Sequence, residues 1–469
     1  MIQINFLHNI HHFCRFSPCE NLIKNIIFVL LSNTMLLFTH IKIIMSKLFI
    51  TPLLFVLLLI SMMASGQASY DFVDKTYEDN VHTVLLHPEQ EPLKDPVLLL
   101  GDTRRLHLSF DVLGDQAAYL YYTFVHCNHD WTPSDLTKPE YINGFDEAEI
   151  RDYRFSVNTL TPFVHYDLLF PEDQIRPKIS GNYLLLVYEN QFSEGQLLFT
   201  RRFFIVDNKV NIQVSFPQYP KNLDYVGKKH QLDVTVSQNN LFTTNPSESI
   251  KLVIRQNGRW DNAVIGLKPN YVYGDKIAFE YAEETVFDGG NQFRNFDIKS
   301  FRYQSERIQK IFQENDHYLV RLWPDERRHT KSYISEQDIR GRKLIAARDD
   351  QETAVEGDYA WVEFLLPYPA PFTHEDVYII GAINDWNLDS KSLMTYNFSL
   401  KAYEASLFLK QGYYNYVYGI LEKETLKADI TIIEGDHWDT LNEYVLFLYF
   451  RKPGTVYDQL VATTTIMSH

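Results

Sequence analysis

Residues 119–136 read YLYYTFVHCNHDWTPSDL, and the first part of this stretch decides the fold class. Leu120, Tyr122 and Phe124 are spaced two residues apart, as in a strand that turns one face to a core and the other to water. Turn-forming residues separate such runs, and almost no long helical pattern interrupts them, so the sequence predicts an all-β protein of antiparallel sandwiches. The same alternation recurs in residues 106–112, 210–216 and 232–236.

The length of 469 residues, with 45% hydrophobic and 22% charged residues, predicts about three globular domains. We expect three consecutive immunoglobulin-like or early-set β-sandwich modules. The spacing of Ile308, Ile311 and Phe312 favours one short helical connector over Ser305–Gln313. The predicted segments are an upstream extension (1–44), a signal peptide (45–66), an N-terminal sandwich (69–207), a middle sandwich (208–355), a C-terminal sandwich (356–453) and a frayed tail (454–469).

The segment that starts at Met45 reads MSKLFITPLLFVLLLISMMASGQAS and has the order of a secretory signal. Lys47 supplies the positive start, an apolar run follows, and Ala64 to Gly66 form a small-residue cleavage zone. Met45 is therefore the expected initiator, and residues 1–44 an extension called too far upstream. The alternative is a real additional apolar segment at residues 26–38, which is short for a bilayer crossing.

Charge and cysteine content narrow the possible partners. The formal net charge of −16 argues against nucleic acid and against anionic membrane surfaces as partners. Behind the predicted signal peptide, Cys127 is the single cysteine, so no disulfide framework is expected. No cysteine stands directly after the cleavage zone, which favours a soluble periplasmic product over a lipoprotein.

The residues around Cys127 are of types that bind metals or act as nucleophiles. His126, Cys127 and His129 could suggest a metal site or an activated thiol. Neighbouring residues of a strand point to opposite faces, however, so His126 and Cys127 cannot bind one ion without a bend. Packing is the favoured interpretation. The chain also lacks G-x-S-x-G, H-E-x-x-H and phosphate-binding glycine motifs, so we expect no enzyme activity, no catalytic residue, no metal and no cofactor.

Residues 377–386 (VYIIGAINDW) and 412–418 (GYYNYVY) resemble the early-set β-sandwiches attached to glycogen- and starch-active enzymes. Those domains share G-x-F-N-x-W followed by G-x-Y-x-Y. Ile383 stands where the family has phenylalanine, while Asn384 and Trp386 match. In the sugar-binding members this tryptophan stacks on a glucose ring, so the resemblance implies Trp386 as a possible carbohydrate platform.

A wider resemblance rests on five segments: HCNHDW (126–131), EYINGF (140–145), SGNY (180–183), NQFRNFD (291–297) and DYAWV (358–362). In these segments the chain resembles a Bacteroidetes family associated with the type IX secretion system, the plug proteins of its giant β-barrel translocon. One departure is Arg340 in Asp338-Ile339-Arg340-Gly341, where the family usually has asparagine; arginine tolerates left-handed geometry poorly, which predicts a different turn.

The resemblance implies a non-catalytic periplasmic protein that docks on the outer-membrane translocon and seals its periplasmic side. The implied partner is that β-barrel, with no nucleic acid, no direct membrane insertion and no small-molecule substrate. Trp131, Tyr141 and Phe145 are the predicted contact residues because they are aromatic residues in loops. The alternative function is periplasmic carbohydrate binding through the C-terminal module and Trp386, and an unrecognised hydrolase ranks third.

Overall fold

The computed structural model describes residues 70–190, 195–237, 241, 245–348, 350–422 and 427–468. The predicted upstream extension and signal peptide lie outside the described residues. Asp71–His469 forms one compact unit. Within it, hydrophobic cores and strand pairing define a first module (residues 70–207), a middle module (208–290 with 443–468) and a third module (291–442).

The predicted all-β fold is confirmed. None of the helices in the described part of the chain has the length and apolar character that a bilayer crossing requires. The α-helices are α1 (Lys138–Tyr141), α2 (Pro246–Ser249), α3 (Thr353–Glu356) and α4 (Thr431–Glu434), and 3₁₀ turns occur at Leu223–Tyr225, Glu283–Thr285 and Ala382–Asn384.

The first module is a sandwich of two mainly antiparallel sheets. Its strands are β1 (Lys75–Thr76), β2 (Val81–Pro88), β3 (Val97–Leu99), β4 (Leu106–Leu113), β5 (Leu120–Cys127), β6 (Ile142–Gly144), β7 (Ala148–Ile150), β8 (Asp152–Phe155), β9 (Phe163–Phe170), β10 (Ile175–Pro177), β11 (Gly181–Glu189) and β12 (Gln196–Val206). One sheet has the order β1-β12-β11-β5-β7, with β3 parallel to β12, and the other is β2-β4-β9-β8. Phe110 and Phe199 meet between them, edge to face, with ring centroids 4.8 Å apart.

The other two modules contain the remaining strands. In chain order they are β13 (Ile212–Ser215), β14 (Lys229–Gln231), β15 (Asp233–Ser237), β16 (Ile250–Gln256), β17 (Val264–Leu267), β18 (Tyr271–Tyr273), β19 (Lys276–Phe279), β20 (Val286–Asp288), β21 (Arg294–Asp297), β22 (Ile308–Gln313), β23 (Tyr318–Leu322), β24 (Lys343–Ile345), β25 (Tyr359–Pro367), β26 (Glu375–Ile380), β27 (Thr395–Asn397), β28 (Ala402–Lys410), β29 (Gly412–Glu422), β30 (Ala428–Asp429), β31 (Glu443–Phe450) and β32 (Gln459–Met467).

Strand pairing crosses the predicted module boundaries. The middle module packs the sheet β13-β15-β19-β18 against β17-β16-β31-β32, so its second sheet is completed by the end of the chain. The third module packs β22-β23-β25-β28-β27 against a sheet built on β29, so it already begins with β21, well before residue 356. The third module is thus inserted into the middle one, because β16 pairs with β31 across almost two hundred residues.

Two local predictions are wrong. Residues 459–467 form β32, paired along β31 with Val461 fully buried, instead of fraying. Ser305–Gln313 is no helix, because Ile308–Gln313 forms β22. A register shift between Ile308 and Lys310 adds one residue to that strand and changes which face each side chain takes. Ile308 and Ile311 can therefore both pack on the core although they are three residues apart.

Candidate functional site

His126 lies in the core of the first module and is 1% exposed. Its Nδ1 is 2.9 Å from the Ser134 hydroxyl, and its ring meets Tyr183 edge to face at 5.1 Å. A Cβ on Gly181, whose φ is +153°, would collide with Nε2 of His126, so the SGNY segment needs glycine here. Burial lowers the pKa of His126 to about 4, and the ring is neutral at pH 7.

The asparagines of the same two segments bind each other. Asn182 donates from Nδ2 to the carbonyl oxygen of Asn128 at 2.9 Å, and its Oδ1 accepts a 2.6 Å hydrogen bond from the Tyr449 hydroxyl. Tyr449 belongs to β31, so this contact also joins the first module to the middle one. The HCN and SGNY segments thus pack against each other.

Cys127 is buried on the face of β5 opposite His126. Burial raises the pKa of its thiol to about 12, so it is protonated at neutral pH and is poorly suited to nucleophilic attack or metal ligation. Nowhere in the described ranges do three or more His, Cys, Asp or Glu side chains gather in a way that could hold a metal ion.

Trp131 is buried at the junction of the first and middle modules, with 3% of its surface exposed. The Arg202 guanidinium carbon lies 4.4 Å from the centroid of the Trp131 ring and 4.5 Å from that of the Trp260 ring. Such cation–π contacts are favourable when desolvated. Phe204 and Phe447 stack beside them at 4.3 Å. Trp131 therefore joins two modules and does not present its ring to an outside partner.

The other two predicted contact residues differ in exposure. Tyr141 is 5% exposed and packs near His126 and Tyr183, so it belongs to the core. Phe145 follows β6 in the loop to β7, where its N–H donates to the carbonyl oxygen of Gln174 at 2.7 Å. Its side chain is 67% exposed. Phe145 alone of the three predicted aromatics is available at the surface.

Trp386 is not an open platform for a sugar ring. It packs edge to face on Phe293, with centroids 6.1 Å apart, and a Cβ on Gly341 would collide with its ring. Its neighbour Asp385 accepts hydrogen bonds from Arg201 at 2.6 Å and from Lys343 at 2.9 Å. The Asn-Asp-Trp turn of the third module is thereby engaged with the first module.

Arg340 adopts the left-handed conformation that the sequence argued against, with φ +52°. The Asp338 carboxylate compensates by accepting hydrogen bonds from the N–H groups of Arg340 and Phe293, at 3.1 and 2.8 Å. Gly341 follows at φ +74°. The departure from the family's asparagine therefore leaves a left-handed turn in place.

A buried ionic cluster joins the first and third modules. Asp111 of β4 is fully buried and accepts hydrogen bonds of 2.6 Å each from His165, Lys410 and the Tyr359 hydroxyl. Burial alone would raise the pKa of Asp111, but the charges of Lys410 and His165 outweigh it and hold the pKa below its ordinary value. The sequence assigned this face of β4 to water, whereas the third module covers it.

A second ionic cluster joins all three modules. Asp95 of the first module pairs with Arg255 of the middle module, and Arg342 of the third module lies 3.8 Å from the same carboxylate. Arg342 also pairs with Glu443 of β31. None of these residues stood out in the sequence, because each is an ordinary charged residue until its distant partner is brought to it.

The geometry defines a class: a multi-module β-sandwich protein whose distinctive residues pack its cores and lock its modules together. Residues 81–207 match the family described as "Type 9 secretion system plug protein 1st domain". The chain belongs to the type IX secretion system plug protein family. The matching family is not an enzyme family.

A solved structure agrees with this fold. A hypothetical protein from Parabacteroides merdae is 33% identical and superposes with a TM-score of 0.82, over 85% of this chain and 100% of that one. The C-terminal domain of the Streptococcus agalactiae AgI/II polypeptide BspA (7% identity, TM-score 0.13, 84% of this chain and 98% of that one) supports no argument. Dimeric latent PorU from Porphyromonas gingivalis (10% identity, TM-score 0.14, 83% of this chain and 34% of that one) likewise supports no argument. No curated protein matches the chain.

Proposed function

We propose that this protein is a periplasmic, non-catalytic plug that docks on the giant outer-membrane β-barrel of the type IX secretion system and seals its periplasmic side. The observation that carries the proposal is the family match of residues 81–207. A barrel wide enough for folded cargo would leak solutes between export events, and a docked protein would close it without any reaction.

The way the modules are joined supports this role. A body that blocks a pore should lose little conformational freedom on docking, because ordering mobile parts costs binding free energy. Here Asp111, Asp95 and Asp385 each receive basic groups from another module. The Asp111 side chain is fully buried, and those of Asp95 and Asp385 are partly buried. The surfaces of all three modules are therefore preorganised with respect to one another.

Phe145 is the contact residue that we propose for docking. It lies in the first module, inside the family match, and its ring is 67% exposed. Exposed aromatic side chains often anchor protein interfaces, since they bury a large area with few torsions to fix. Tyr141 would support this surface from inside the module, whereas Trp131 holds the first module to the middle one.

The test is co-purification from outer-membrane extracts with a tagged full-length protein. We expect the giant β-barrel among the captured proteins, and several-fold less of it with Phe145→Ala. Phe398→Ala is the matched control, because Phe398 is 76% exposed but lies in the third module. Failure of the wild-type protein to capture the barrel would refute the proposed function. Equal capture by wild type and Phe145→Ala would refute only the assigned contact residue.

Loss of the gene gives an independent readout. If the protein seals an open barrel, a deletion strain should become more sensitive to large antibiotics that the outer membrane normally excludes. Complementation with the wild-type gene should restore resistance. A deletion strain with unchanged sensitivity would argue against sealing while leaving docking possible.

A further inference from the structure

A cleft of about 690 Å³ opens between the first and third modules. One wall is formed by β2 of the first module, including His82 and Thr83, and the other by the outer face of β25 and β28. Sites for small ligands are usually clefts of this size, and they occur preferentially at domain interfaces. The proposed docking through Phe145 makes no use of this cleft.

A row of three aromatic rings runs along the third-module wall. Tyr359 is fully buried beneath the first module and stacks on Phe408 with centroids 5.1 Å apart. Phe408 lies 5.0 Å from Trp361, its cross-strand partner, and His82 meets Phe408 edge to face at 5.5 Å. Trp361 is 40% exposed. The row therefore leaves the module interface and ends in an accessible indole ring.

The charges of the cleft indicate an uncharged ligand. Its lining contains three lysines and three aspartates, so their formal charges cancel. Most are paired within the protein: Lys343 with Asp385 at 2.9 Å, and Lys391 with Asp79 at 3.0 Å across the rim. Burial lowers the pKa of His82, so that ring is neutral at pH 7. The six are Lys343, Lys391, Lys410, Asp79, Asp385 and Asp389.

Hydrogen-bonding groups without a partner lie in the same cleft. Ser406 is opposite Glu363 in the β25–β28 pairing, which places it diagonally next to Trp361 on one face of the sheet. Within the described residues, the hydroxyls of Ser406 and Ser390 make no hydrogen bond, and Asp389 uses only Oδ1, to accept from the N–H of Lys391 at 2.9 Å. A purely apolar ligand in the cleft would form no hydrogen bonds with these groups.

We propose that this cleft binds a short neutral saccharide, with one ring stacked on Trp361 and its hydroxyls bonded to Ser406 and Asp389. Sugar rings combine an apolar C–H face with hydroxyl donors and acceptors, which is the combination that this lining offers. The site is distinct from Trp386, the residue that the sequence resemblance suggested, because that indole is packed against Phe293.

The test uses the full chain titrated calorimetrically with short neutral oligosaccharides of glucose, mannose and N-acetylglucosamine. We expect one of the three to bind. Trp361→Ala should weaken that binding about tenfold, the factor that corresponds to a lost ring contact of about 1.4 kcal/mol. Trp361→Phe, which keeps an aromatic ring, should retain most of the affinity, and a urea unfolding curve of Trp361→Ala like that of the wild type excludes a failure to fold.

Trp323→Ala is the matched control, since Trp323 is 49% exposed in the same module and does not line the cleft. It should bind within about twofold of the wild type. The proposal is overturned if none of the oligosaccharides binds, or if Trp361→Ala binds as well as the wild type. If Trp361→Ala in addition loses capture of the barrel, the cleft receives a protein segment in place of a saccharide.

Discussion

At the scale of single residues, the polar groups that attract attention in the sequence turn out to be packing groups. His126 is neutral in the core, where Ser134 is its hydrogen-bond partner and Gly181 leaves room for its ring. Cys127 remains a protonated thiol for the same reason of burial. Neither residue has the exposed, charged surroundings that reactive side chains need.

The burial of His126 has a consequence for stability as a function of pH. The imidazole of an unfolded chain titrates near 6.5, whereas that of folded His126 titrates at about 4. Between these values the unfolded chain binds a proton that the folded chain does not, so lowering the pH reduces the free energy of unfolding. This residue makes the free energy of unfolding about 3 kcal/mol higher above pH 6.5 than at pH 4, and the contribution is lost as the pH falls between these values.

His126→Gln should remove this contribution. We expect the variant to lose less stability than the wild type between pH 7 and pH 5, by about 2 kcal/mol, in urea unfolding curves at the two pH values. His374→Gln is the control, because His374 is an exposed residue, and it should lose as much as the wild type. Equal losses in wild type and His126→Gln would show that His126 is not buried in its neutral form.

At the scale of elements, the end of the chain is the clearest departure from the local pattern. The sequence predicts a frayed tail over residues 454–469. In the structure residues 459–467 are an edge strand that pairs with β31 from Glu443 to Phe450. Leu460 is fully buried there, and its carbonyl oxygen accepts from the N–H of Asp207 at 3.0 Å.

Leu460→Ala should therefore lower the free energy of unfolding by about 2–5 kcal/mol, the usual range for removing a buried leucine side chain. Thr465→Ala is the matched control, because Thr465 is an exposed residue of the same strand. It should change the stability by less than about 0.5 kcal/mol. Urea unfolding measures both variants, and a negligible effect of Leu460→Ala would mean that this strand is detached in solution.

At the scale of the whole molecule, buried ion pairs decide how the modules are arranged. Lys410 is 1% exposed and its partner Asp111 is completely buried. Taking two charges out of water is expensive, so such a pair contributes specificity more reliably than net stability, whereas leaving one partner alone is strongly destabilising. The pair thus favours one arrangement of the first and third modules over others.

A double-mutant cycle tests this interpretation. Lys410→Met should cost about 3–5 kcal/mol, since Asp111 remains buried with His165 as its remaining basic partner, and the double variant Asp111→Asn/Lys410→Met should recover part of that loss. Arg321→Met, which breaks the exposed pair with Glu363, is the control and should cost at most about 1 kcal/mol. If Lys410→Met costs no more than the control, the junction is hydrated in solution.

The alternation of apolar and polar residues predicted much of the fold correctly, and particular residues show where that prediction failed. Leu120, Tyr122 and Phe124 do face the core of the first module, as their alternation predicts. The same reasoning failed for Ile308 and Ile311, because a bulge changes the face on which residues lie and has no periodicity of its own. It also failed for Asp111, because a strand's outer face can be covered by another module as readily as by water.

The sequence by itself determined the all-β class, the strands with clean alternation and the family, since these depend on residues close together in the chain. Only the tertiary structure decided that the third module is inserted into the middle one, that Trp131 and Tyr141 are buried while Phe145 is exposed, and that Trp361 ends an aromatic row in a cleft. These features depend on pairings such as β16 with β31 and Asp111 with Lys410, whose partners lie hundreds of residues apart. Local propensity carries no information about contacts at that separation, because the neighbours of a residue in the chain do not show which distant segment will pair with it.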